Sequence, residues 1–61
     1  MPARTEFAQD GDKHGLPGWW TVYHDGEAIH HYPDRSDAAT LAFHMNGGLD
    51  YEQAKKKVAG E

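Results

Sequence analysis

A chain of 61 residues, 26% charged and 38% apolar, holds one domain with a small core, since a protein this short buries only about 60% of the surface exposed when unfolded. The absence of cysteine excludes disulfides and cysteine-based zinc sites, and no apolar run is long enough to cross a membrane. Six Lys and Arg against ten Asp and Glu leave a net charge of −4, which argues against a general nucleic-acid binder and points to basic partners.

Residues 1–18 contain Pro2, Gly11, Gly15, Pro17 and Gly18 with Asp10, Asp12 and Lys13 among them. Such composition offers little apolar surface to bury and reads as a flexible N-terminal segment. Within it, residues 4–8 are either an edge strand anchored by Phe7 or part of a disordered tail.

The runs Trp19–His24 and Glu27–Tyr32 are aromatic and β-branched, and they flank Asp25-Gly26. This pattern predicts a β-hairpin over 19–32, because a two-residue type I′ turn needs positive φ at both central positions. The pairs expected from such a loop are His24–Glu27, Tyr23–Ala28, Val22–Ile29, Thr21–His30, Trp20–His31 and Trp19–Tyr32. One face then carries Trp20, Val22 and Ile29, with His24 and Glu27 near the turn and His31 near the open end. The other carries Trp19, Thr21, Tyr23, Ala28, His30 and Tyr32.

Pro33 ends the second strand, and Asp34 or Ser36 caps a helix predicted over about 35–46. Ala38, Leu41, Ala42 and Met45 share one helical face, and Asn46-Gly47-Gly48 stops the helix. A short C-terminal helix over about 50–59 follows, because Asp50 with Gln53 three residues later forms a capping-box pattern. Its Lys55, Lys56 and Lys57 suit the negative end of a helix dipole on a solvated face.

The predicted fold is therefore α+β, with a two- or three-stranded antiparallel sheet packed on one α-helix and a short helix after it. Residues 19–61 form the domain, and its expected core is Trp20, Val22, Ile29, Leu41 and Met45.

Five histidines raise the question of a metal. His30 and His31 are strand neighbours and point to opposite faces, while His24 and His31 stand roughly 13 Å apart along the strands. No metal centre and no cofactor is expected, and a histidine-based metal domain is the second alternative. No catalytic site is expected either. Ser36 is the single serine and has no motif-placed base, and so short a chain has little room for a ligand cleft.

A single helical layer covers one sheet face and leaves Trp19, Tyr23 and Tyr32 on the other. Phe7, or Tyr51 and Val58 of the second helix, would close that face if it is not free. Exposed Trp and Tyr mark binding hot spots. With Asp25 and Glu27 at the hairpin tip and Asp34 and Asp37 at the helix start, they make an acidic rim around aromatic anchors.

Leu16-Pro17-Gly18-Trp19, Asp25-Gly26 and His31-Tyr32 resemble the start of a WW domain over fewer than twenty residues, but a helix cap stands where the third strand would be. The Trp-led hairpin running into Asp34-Arg35-Ser36-Asp37-Ala38 is similar to the arm-type DNA-binding domains of tyrosine recombinases. That likeness implies a sheet that reads DNA, and gives the first alternative: a small DNA-binding accessory protein. No Lys or Arg lies between Trp19 and Tyr32, so the charge that holds a phosphate backbone is missing there. The leading expectation is a non-enzymatic, acidic, cytoplasmic protein-binding module that occludes a basic nucleic-acid-binding surface. By analogy of size and charge, it resembles phage and mobile-element inhibitors, including anti-CRISPR-type proteins.

Overall fold

The computed structural model of the chain describes residues 4–60. Strand β1 (Thr5–Ala8) is followed by a 3₁₀ turn at Gly11–His14, strands β2 (Trp20–His24) and β3 (Glu27–Tyr32), and helices α1 (Arg35–Asn46) and α2 (Tyr51–Val58). The strands form one antiparallel sheet in the order β1-β2-β3, and the helices follow it in the chain, as an α+β fold.

The hairpin turn has the two-residue form expected of Asp25-Gly26, with φ of 53° and 84°. Beyond it the register departs from simple alternation. His24 pairs with Glu27 and Tyr23 with Ala28, but Val22 then pairs with His30, Thr21 with His31 and Trp20 with Tyr32. Ile29 is the extra residue of a β-bulge, and it moves every later residue of β3 to the face opposite the expected one. His30 and Tyr32 join Trp20 and Val22 on the helix side, whereas His31 joins Thr21 and Tyr23 on the outer side. Trp19 precedes β2 and has no partner in β3.

Of the two readings of residues 4–8, an edge strand or a disordered tail, the structure has a strand, Thr5–Ala8. Thr5 pairs with His24 and Phe7 with Val22, so Phe7 lies on the helix side rather than over the outer face. Residues 9–18 form the 3₁₀ turn and a closed strap on the sheet. Residues 1–3, the start of the predicted flexible segment, lie outside the described residues.

The core is small, as the length requires. Val22, Ala38, Leu41 and Ala54 are fully buried, and Phe7, Trp20, Ile29, Tyr32, Met45, Leu49, Tyr51 and Val58 pack around them. Leu41 and Val22 belong to the expected core; Trp20, Ile29 and Met45 form its half-buried margin. Asp50 caps α2 by accepting from Gln53 N at 2.8 Å. Asp34 stands at the N-cap of α1, but its side chain accepts no hydrogen bond there. No helix among the described residues is long and apolar enough to cross a membrane.

Candidate functional site

Alternation along β2 turns Thr21 and Tyr23 away from the helices, and the bulge adds His31 to them. The strap from Gln9 to Trp19 lies over this outer face. It closes on itself: Gly11 N donates to Trp19 O at 3.0 Å, and Leu16 N donates to Gly11 O at 2.8 Å. A side chain at position 11 would put its Cβ 2.1 Å from Leu16 O and 2.9 Å from Trp19 Cβ, so only glycine fits this crossing. Gln9 Nε2 donates to Gly18 O at 3.2 Å and Gly18 N donates to Asp12 Oδ1 at 3.3 Å, which tightens the loop.

This closure carries Asp10 and His14 onto Tyr23. The Tyr23 hydroxyl donates to Asp10 Oδ2, and His14 Nε2 lies 3.2 Å from the same hydroxyl oxygen. His31 Nδ1 is 3.0 Å from Thr21 Oγ1, and the His14 and His31 rings stand 4.9 Å apart between centroids. The Tyr23 hydroxyl holds the Asp10 carboxyl below its usual range. Desolvation opposes that shift, while Thr21, His14 and Lys13 reinforce it. The Tyr23 phenol is pushed up, chiefly by its bond to Asp10. At neutral pH the pair is therefore an ionised carboxylate and a neutral phenol. Asp10 Oδ1 is buried without a hydrogen-bond partner among the described residues.

The expected partner-binding residues separate into groups. Tyr23 is on the outer face but half-buried under the strap, and Trp19 is half-buried at the strap's end. Tyr32 leaves the group. The bulge puts it on the helix side, where its hydroxyl is buried without a partner among the described residues and burial, above all, pushes its phenol up. Asp25 and Glu27 are exposed at the hairpin turn, Asp34 is exposed at the start of α1, and Asp37 is half-buried in its first turn. The two acidic ends are thus separated by the length of β3.

Asp10, Thr21, His14 and His31 escaped the sequence reading as a group. The cue for them was the alternation of Thr21 with Tyr23; the rest depends on where the strap returns. No set of three or more His, Asp or Glu that could hold a metal is gathered among the described residues.

On the helix side, His30 Nδ1 meets Tyr51 Oη at 2.8 Å and joins β3 to α2. Burial first, then the charges of Lys55 and His31, lower the His30 pKa. A separate open groove of about 480 Å³ runs between β1 and α1, lined by Phe7, Ala39, Ala42, Phe43 and Asn46 with Arg4, Thr5 and Glu6 at its side. Phe43 is 72% exposed, the one large apolar side chain so placed among the described residues.

Comparison with protein-family models, with curated proteins and with solved structures finds no match to this chain.

Proposed function

We propose that this chain is a non-enzymatic protein-binding module whose acidic surface covers a basic patch of the kind that nucleic-acid-binding proteins present. The observation that carries this reading is the set of exposed acids without a cation. Among the described residues, ion pairs join only Arg4 to Glu6 and Lys55 to Glu52, and Asp12, Asp25, Glu27 and Asp34 meet no Lys or Arg there. Free surface carboxylates steer a basic partner and set its orientation, whereas half-buried aromatics such as Trp19 and Tyr23 supply hold. Binding rather than catalysis is favoured because Asp10, Tyr23, His14, Thr21 and His31 are already engaged with one another. An inhibitor of phage or mobile-element origin, anti-CRISPR-like in acting by occlusion, is the form that such size and charge suit.

The test is capture from a native-host lysate on immobilised wild-type chain and on a variant carrying Asp25→Lys, Glu27→Lys and Asp34→Lys. A basic nucleic-acid-binding protein is expected on the wild type alone, released by salt and competing with nucleic acid for the chain. Equal retention by both forms would overturn the reading. Retention of DNA itself by the purified chain would favour the DNA-binding alternative instead.

A further inference from the structure

We propose that His14 and His31 form a two-imidazole site for a divalent late transition-metal ion such as zinc, with water completing the coordination. Two imidazoles bound to one ion at ~2.0–2.1 Å place their ring centres roughly 4.5–5.2 Å apart for angles of about 90–110° at the metal. The observed separation is 4.9 Å, with the rings tilted by 47°.

The surroundings suit ligation. His31 has its Nδ1 on Thr21 Oγ1, and Thr21 is fully buried, so this ring is anchored and its Nε2 is left for a ligand. A hydrogen bond on the second ring nitrogen is what orients a metal-bound imidazole. His14 is exposed on the strap, and its contact with Tyr23 is long at 3.2 Å. The Tyr23 hydroxyl has its own bond to Asp10 and does not depend on His14. Asp10 stays on Tyr23 and is no ligand, but its negative charge nearby favours a cation over an anion. The other described histidines are engaged elsewhere: His24 with Thr5, His30 with Tyr51, and His44 against Phe43. An ion held this way would pin the strap to β3.

Zinc chloride titrated into the whole chain, followed by imidazole ¹⁵N resonances and by calorimetry, tests the site. One equivalent is expected to shift the nitrogens of His14 and His31 ahead of the rest and to raise the melting temperature. His14→Gln and His31→Gln should each weaken binding at least tenfold, and His44→Gln should leave it unchanged. First shifts at other histidines, single variants that bind within twofold of wild type, or no binding at millimolar zinc would each overturn the assignment. The wild-type resonances decide the question even if the His31 variant is poorly folded.

Discussion

The Asn46 side-chain amide pairs with both backbone groups of Thr5: Thr5 N donates to Asn46 Oδ1 at 2.9 Å, and Asn46 Nδ2 donates to Thr5 O at 2.9 Å. The last residue of α1 thus occupies the outer edge of β1 as a neighbouring strand would, and it blunts an edge that could otherwise pair with another chain. Asn46→Ala should cost about 1–3 kcal/mol, because two backbone groups lose their partner at once. Urea unfolding would measure the loss, and light scattering would show whether the bared edge promotes association. Full stability in the variant would mean that water replaces the amide without penalty.

Leu41 is the largest fully buried side chain and sits where α1 meets the sheet. Leu41→Ala should cost about 2–5 kcal/mol, a large part of the stability available to so small a domain. A melting temperature within a few degrees of wild type would show that the core closes around the cavity.

At the strap crossing, Gly11→Ala should be destabilising, since its Cβ would meet backbone oxygen as well as Trp19. Hydrogen exchange should show faster loss of the Gly11–Trp19 and Leu16 backbone bonds, with the hairpin still protected. Unchanged exchange in the strap would mean that the crossing relaxes without cost.

The pH dependence of stability follows from four groups. The His30 pKa is lowered in the folded state, so the unfolded chain takes up its proton first. Stability is therefore full above about pH 6.5 and declines as pH falls through the folded value. Asp10, lowered from 3.8 by Tyr23 above all, adds a second loss in stronger acid. Tyr32, raised by burial first, and Tyr23, raised by Asp10 first, act at the other end. The unfolded chain gives up these phenolic protons first, so stability declines above about pH 10. Thermal melts should show a plateau between these limits, and His30→Gln should flatten the slope between pH 7 and 5. An unchanged slope would mean that His30 does not carry that loss.

For partner binding, Trp19→Ala should reduce affinity about fivefold or more, while Tyr32→Phe should leave it unchanged, because Tyr32 belongs to the helix side. Asp25→Lys with Glu27→Lys should slow association and lower its salt dependence. Acidification makes the formal charge of −4 less negative, so binding through free carboxylates should weaken as pH falls below about 7. Folded Trp19 and Tyr23 variants that bind as tightly as wild type would move the site elsewhere, with exposed Phe43 the next position to substitute.

Local chemistry was legible in the amino-acid order. Asp25-Gly26 demanded a two-residue turn, Asp50 and Gln53 made their own cap, and the 38/41/42/45 spacing turned Leu41 inward, because each depends on neighbours within a few residues. The sides on which His30, His31 and Tyr32 fall were decided by the tertiary structure. A single extra residue at Ile29 reverses the alternation, and whether a strand bulges depends on how it packs against the helices and β2. The same holds for the strap and for the Thr5–Asn46 clamp. They join residues far apart in the chain through hydrogen bonds that no local pattern encodes, so Asp10, His14, Tyr23 and His31 become one site only once the chain has closed.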